Sequence, residues 1–243
     1  MERLILEIKS EKELFDFLCK NKKRKCINFL NQHDIYQLVN TPLFSFTLKK
    51  KNNLNLIDGF FISLFLSIKN LRKIRRKRGP TFTRDFLSNK SLSENKKHFF
   101  VGLEKKDLIL LKKKFPHLKY IDCYNPPYIK DVKFSEKEIK KIARLINKFE
   151  AEYVWMCIAS PKQNILAQDL FPITKTKYFF NVGAALDFIL GKKREAPKFI
   201  QILGLEWFFR LITDFKYSKI KVWRSFVAVF YLLSGKVKLE LRK

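Results

Sequence analysis

Short apolar runs recur along the chain, each bounded by turn formers and each followed by residues at helical spacing. The runs 26–30, 54–57, 99–101, 118–123, 153–159 and 177–182 have the composition of strands buried on both faces. Between them the pattern predicts helices over 10–21, over 34–48 with a break at Pro42, and over 60–74, 104–115 and 135–149. Ser10 with Glu13, and Ser135 with Glu138, mark two helix starts by the capping-box spacing. A helix opens at Lys162-Gln163-Asn164, and a short one containing Asp187 follows Gly183-Ala184-Ala185. Residues 197–212 and 214–234 read as the last two helices. This alternation predicts an α/β fold, with an open, mostly parallel, Rossmann-like sheet and flanking helices.

Composition narrows the class. At 243 residues with 47% hydrophobic side chains, the chain can bury its own core and is not of the disordered type. Fifty-one Lys and Arg against 23 Asp and Glu give a formal charge of +28. Such an excess calls for an anionic neighbour: nucleic acid, an anionic membrane surface or a phosphate-bearing ligand. The four cysteines form no C-x-x-C pair, and with only three histidines no zinc site is expected. No secretory h-region opens the chain, and no apolar run approaches the ~20 residues needed to span a bilayer. The expectation is a cytoplasmic protein that touches a membrane.

Residues 214–234 admit two accounts. Basic at the start (Lys216, Lys219, Lys221, Arg224) and apolar from Phe226 to Leu233, the helix either packs on the body or lies in a membrane interface with Trp223 and Arg224 at headgroup level. The expected division is a domain over 1–212 and a helical, membrane-associated appendage over 213–243.

Two stretches place a strand, a tight turn and a helix start in succession: 153–164 and 177–187. This geometry brings anion-binding groups to the carboxyl edge of a parallel sheet. The residues in and after them are distinctive. Ala159-Ser-Pro-Lys-Gln163 is followed by Val182-Gly-Ala-Ala-Leu-Asp-Phe188, then Gly191, Arg194, Ala196-Pro197, Gly204-Leu-Glu-Trp207 and Arg210. In order and spacing the series resembles the C-terminal signature of the WecG/TagA/CpsF glycosyltransferases (glycosyltransferase family 26): G-x-P-K-Q, G-V-G-x-x-F-D-F, R-A-P and G-L-E-W-x-x-R. Four motifs in series are far more specific than one.

The resemblance implies an E-type glycosyltransferase fold and assigns candidate residues. The family has T-x-N after its first strand and Asp-Gly about 26 residues later, with that Asp as the proposed general base. Asn31 and Asp58 stand 27 positions apart and match them. From the residues alone, Asp58 before a helix is also a simple N-cap. The family's Thr falls on Phe29, a departure. The motif R-V-x-G-x-D corresponds to 78–85, a loop in which Arg78 and Thr83 suit a diphosphate or sugar hydroxyls, with Arg76 or Arg84 as substitutes for Arg78. Gly102 stands at a strand-ending L-G-G, with Leu103 in place of the second glycine. Lys162, Gln163, Gly183, Asp187 and Arg210 follow from the signature, whereas Glu206 and Trp207 read as parts of an apolar helix. Lys221 and Arg224 match the family's R-x-W-R tail, which contacts the leaving diphosphate.

The implied activity is inverting transfer of a sugar (N-acetylmannosamine, another hexose or a uronic acid) from UDP to a polyprenyl-diphosphate-linked acceptor, in cell-surface polysaccharide assembly on the inner face of the membrane. No cofactor and no metal are expected, since the chain contains no D-x-D. Oligomerisation stays open. The rival readings are a basic nucleic-acid-binding protein, and a family member with an altered donor or lost activity. No nucleic acid partner is expected, because no RNP, helix-turn-helix or zinc pattern occurs.

Overall fold

A computed structural model describes residues 1–21, 23–213 and 215–242. In chain order the elements are β1 (Glu2–Glu7), α1 (Glu11–Lys20), β2 (Lys25–Leu30), α2 (Gln32–Asn40), α3 (Pro42–Leu48), β3 (Asn53–Ile57) and α4 (Phe60–Lys69). Next come α5 (Gly79–Ser88), α6 (Lys90–Ser93), β4 (Lys97–Val101), α7 (Lys105–Lys114), β5 (Tyr120–Tyr124), α8 (Glu136–Phe149), β6 (Tyr153–Met156) and α9 (Lys162–Leu170). A 3-10 turn (Phe171–Ile173), β7 (Tyr178–Asn181), α10 (Ala185–Ile189), α11 (Lys198–Ile202), α12 (Glu206–Thr213), α13 (Phe215–Leu233) and β8 (Val237–Arg242) complete the chain.

The eight strands form one sheet in the order β5-β4-β6-β7-β2-β3-β1-β8, and every pairing is parallel. The expected α/β architecture is therefore present. Both helix starts are capped: Ser10 and Glu13 form a reciprocal capping box, whereas Ser135 accepts from Glu138 N–H and the Glu138 carboxylate accepts from Tyr124 instead.

Several local expectations are corrected. Gly79-Pro80 does not extend a loop; it starts α5, because proline in the first turn forfeits no helical hydrogen bond. The helix expected over 60–74 ends at Lys69. The one expected over 197–212 is two, divided at Gly204. There φ is +73°, and a Cβ would lie 2.3 Å from the Phe60 ring, so a residue without a side chain lets the turn close on α4. Residues 213–243 do not form a purely helical appendage. They end in β8, which pairs with β1 from Glu2↔Val237 to Glu7↔Arg242. Asp214, the first residue of the helix expected over 214–234, lies outside the described residues.

Helix α13 lies against α2, with Ala228 and Leu232 buried in the same cluster as Leu38 and Phe44. Tyr231 stacks on Tyr36 at 6.3 Å. Part of the apolar block expected to enter a membrane is thus inside the protein, while Trp223, Phe226, Phe230 and Leu233 face outward. Among the described residues no helix is long and apolar enough to cross a membrane.

The two faces of the sheet are filled differently. On one face a continuous cluster runs from Leu14 and Leu18 through Phe29, Phe82, Phe86, Trp155 and Phe180 to Leu186. Its rings are stacked closely, with Trp155 and Phe180 at 4.4 Å and Phe29 and Phe82 at 4.9 Å. On the other face, two apolar clusters lie to either side of a polar seam. One cluster joins β1, β8 and the helices α2, α3, α4 and α13; the other joins α8 and α9 to β4, β6 and β7. The seam is a ladder of side-chain amides across adjacent strands, since Asn28 is in register with both Asn55 and Asn181. Asn28 donates to Asn55 at 2.8 Å and to Asn53 at 2.9 Å. Its oxygen accepts from Asn181 at 2.6 Å and from Asn164 of α9 at 2.8 Å.

Candidate active site

The strands end toward one edge, and the segments leaving β2 and β7 turn to opposite faces of the sheet, α2 on the seam side and α10 on the aromatic side. Adjacent parallel strands with exits of opposite sense leave a crevice beyond their carboxyl ends, the usual ligand position in such sheets. Asn31 follows β2, Asp58 follows β3 and Gly183 follows β7, so all three reach this edge. Asp58 and Gly59 both donate their N–H to Leu30 O, at 2.9 and 3.0 Å, which draws the β3 turn onto the end of β2.

Asn31 is the N-cap of α2. Its side-chain oxygen accepts from His33 N–H at 2.9 Å, and its own N–H donates to Asp34 at 2.8 Å. The other Asp34 oxygen accepts from Ser160 Oγ at 2.5 Å, which ties α2 to the turn after β6. Burial raises the Asp34 pKa to about 6, against these bonds and the charge of Lys221. His33 is pushed down to about 4 by burial and by Lys221 and Arg224. Lys221 and Arg224 of α13 therefore lie beside the start of α2, and Arg224 covers the Tyr36 ring at 5.2 Å. Trp207, whose indole N–H is buried and has no hydrogen-bond partner among the described residues, lines a small cavity with Gln32, Phe61, Val222, Ser225 and Phe226.

Asp58 accepts no side-chain hydrogen bond among the described residues. Its pKa is raised to about 7 by desolvation first and by the neighbouring Glu206 second, opposed by Arg76, Arg78 and Arg210. A carboxylate poised near neutrality and facing several guanidinium groups has the character of a general base. The arginines are themselves held: Arg76 pairs with Glu206 at 2.6 Å, and Arg78 with Glu206 at 2.8 Å and Glu195 at 2.9 Å. Arg84 reaches Glu195 at 2.7 Å. Burial would raise the Glu195 pKa, but Arg84 and Arg78 outweigh it and keep the carboxyl below its ordinary range. Arg210 lies over Phe188 at 5.1 Å.

The expected residues thus divide. Asn31, Asp58, Arg78, Arg210, Lys221 and Arg224 gather at the ends of β2 and β3 and on the elements packed there. Gln163 and Gly183 form a second group, in which the Gln163 side-chain oxygen accepts from Gly183 N–H at 2.8 Å and binds the turns after β6 and β7 together. Gly102, at φ +103°, donates to Tyr124 O at 2.8 Å; a Cβ there would meet Ile158 at 2.8 Å, so the turn after β4 needs glycine. Leu103 is buried in the aromatic-face core, which accounts for a leucine beside it.

Three expected residues are engaged by partners within the protein. Thr83 is a fully buried member of α5 that donates to Gly79 O at 2.8 Å, not a loop residue. Lys162 donates to Ile129 O and lies over Tyr128 at 4.9 Å. Asp187 pairs with Lys193 at 2.9 Å. Phe29, where the resemblance calls for threonine, packs against Phe82 beneath the start of α5.

Sequence reasoning missed Asp34, Ser160 and Glu195, and left Glu206 as a helix residue. Asp34 did carry a signal, since it stands three residues after Asn31 as in a capping box. The acid–arginine pairs span more than 110 residues of sequence, and no local pattern announces them. Among the described residues no cluster of three or more His, Cys, Asp or Glu is placed to hold a metal ion. A protein-family model described as Glycosyl transferase WecG/TagA/CpsF family matches residues 5–241.

Proposed function

This chain belongs to the WecG/TagA/CpsF family of glycosyl transferases, which act in cell-surface polysaccharide synthesis, and we propose that it is an inverting enzyme working from a UDP-sugar onto a polyprenyl-diphosphate-linked acceptor. The observation that carries this reading is Asp58: a carboxyl at the end of a central strand, with a pKa of about 7, beside Arg76, Arg78 and Arg210. In its ionised form it takes the proton from the acceptor hydroxyl as that oxygen attacks the anomeric carbon. The bond from that carbon to the diphosphate oxygen breaks on the opposite face, and UDP leaves with the electron pair. Positive charge must meet the developing negative charge on the diphosphate. Arg210 from α12 and Lys221 and Arg224 from α13 are the candidates, with the Gly183 turn, braced by Gln163, toward the nucleotide.

The reaction proposed is metal-independent, with arginine and lysine in the role a divalent cation plays elsewhere. The protein would work on the inner face of the cell membrane, the outward side chains of α12 and α13 resting in the bilayer. The packing of Phe29 under α5 supports a donor pocket different from one with a threonine hydroxyl at that place. The test is UDP release across a panel of UDP-sugars, with and without a polyprenyl-diphosphate-GlcNAc analogue and in the presence of EDTA. Acceptor-dependent turnover with one donor, reduced about 10²–10⁴-fold in Asp58→Asn, is the expected result. Turnover undiminished in that variant would remove Asp58 from the role, and loss of turnover with EDTA would overturn metal independence. Failure of every UDP-sugar to bind would overturn the donor class.

A further inference from the structure

Between α4 and α5 the chain makes a loop whose tip is unusual. Leu71 is 95% exposed and Ile68 67% exposed, and Leu64 one turn earlier also faces solvent. The tip is not slack. Ser67 Oγ accepts from Ile74 N–H at 2.9 Å, Ser63 Oγ donates to Ile74 O, and Arg72 N–H donates to Ser67 O at 3.2 Å. Ile74 is buried in the core shared by α2, α4 and α13. Leu71 is held in the left-handed region at φ +49°, a conformation disfavoured for a leucine. The loop therefore presents its aliphatic side chains to the outside by construction.

The charge around the tip is of one sign. From residue 60 to residue 84 there is no acidic side chain, while Lys69, Arg72, Lys73 and Arg75 flank the two exposed aliphatics. None of these four makes an ion pair or a side-chain hydrogen bond among the described residues. A basic rim around an aliphatic point matches a bilayer with anionic headgroups: the cations meet phosphates while the tip enters the acyl boundary. A nucleic acid would use the cations and leave Leu71 and Ile68 in water.

We propose that the 68–75 loop is a second membrane anchor, separate from α13, whose occupant is an anionic phospholipid bilayer. The inference rests on the reading of the protein as a peripheral membrane enzyme. Its base is fastened to the site, since Arg76 donates to Gln201 O and pairs with Glu206. Phe199, Ile202 and Leu203, on and after α11, are exposed beside that attachment. Two anchors fixed to one body set an orientation that one helix cannot, and they would hold the Asp58 edge at a constant height above the lipid.

The test uses the full chain with an environment-sensitive fluorophore on Leu71→Cys in a Cys19→Ser background, Cys19 being the exposed cysteine. On phosphatidylglycerol-containing vesicles the emission should shift to the blue and be quenched by acyl-chain nitroxides; on pure phosphatidylcholine both effects should fall severalfold. Ile68→Ser with Leu71→Asn should weaken partitioning about tenfold or more, and Lys69→Gln or Lys73→Gln roughly fivefold each on anionic vesicles only. Asparagine suits the left-handed conformation, so the fold should tolerate the exchange at 71. Co-sedimentation with an unquenched label and unaffected variants would overturn the anchor while leaving the peripheral reading intact. No co-sedimentation at all would overturn both. A label that responds to a random oligonucleotide but not to vesicles would assign the patch to nucleic acid and overturn the proposal.

Discussion

The two faces of strands β7, β2 and β3 solve the same problem by opposite means. On one, Phe29 and Phe180 meet Phe82 and Phe86 of α5 ring to ring, in a cluster that also holds Ile27, Leu54 and Leu56. On the other, Asn28, Asn55 and Asn181 meet Asn164 of α9 through directed hydrogen bonds. Packing is non-directional and tolerates small shifts, whereas a buried amide left without a partner loses its whole hydration. Each face carries one wall of the site. The aromatic face seats α5, which begins beside Arg78, and the amide ladder seats α9, which begins at Lys162 and Gln163. The arginine wall is held by ion pairs to Glu195 and Glu206, whereas the glutamine wall is set by the register of the strands beneath it.

The comparison is most severely tested at Asn28, which takes part in four side-chain hydrogen bonds. Asn28→Ala should lower the unfolding free energy in urea by about 3–5 kcal/mol, because it strands several buried amides together. A loss under about 1 kcal/mol would show that the ladder is no more than filler. On the opposite face Phe180→Leu should cost less, about 1–2 kcal/mol, as neighbouring rings close on the smaller side chain. Equal losses at the two sites would erase the distinction.

Asp58 sharpens the picture from the other direction, as a site group that the fold carries at a cost. Folding raises its pKa from the ordinary carboxylate value to about 7, so the native state holds the proton more tightly than the unfolded chain does. The sign follows: this carboxyl makes stability fall as pH climbs from about 4 to about 7, and the reduction persists above. Asp58→Asn should therefore be more stable than the parent at pH 8, by on the order of 1–2 kcal/mol after allowance for partial exposure, while kcat/KM of the parent should rise through pH 7. A variant less stable than the parent at pH 8 would contradict the burial argument. The smallest effect is expected at Glu195→Gln, under about 1 kcal/mol in stability. Arg78 keeps Glu206, whereas Arg84 loses its carboxylate partner and should lower the KM for the donor; an unchanged KM would place Arg84 outside the donor's reach.

Much of this was legible beforehand, and the omissions share a cause. The six inner strands and the helix starts at Ser10 and Ser135 carry their signals within a few residues. Strands β1 and β8 did not, since ERLILE and VKLELR are short, half-charged and paired with each other across more than 230 residues. The asparagines at 28, 55 and 181 look like interruptions in apolar runs until strand register places them in one row. Asn31 and Asp58 are candidates by motif spacing alone, whereas the hold of Glu195 and Glu206 on Arg76, Arg78 and Arg84 exists only in three dimensions. Pro80 is different: proline in the first turn of a helix is a local signal, and here it outweighs the loop reading of 78–85.

The pairing of β1 with β8 also bears on how the protein is made. Of these eight strands β1 is made first and β8 last, so the edge of β1 that β8 covers stays unpaired while the six strands between them are made. The nascent chain must keep an open strand edge from meeting others until its own closing strand emerges, and the helix that bears Lys221 and Arg224 arrives only just before it. The turns after β6 and β7 are thus made before the helix that bears Lys221 and Arg224, and the Asn31–Asp58 edge is fully lined only once α13 has packed on α2.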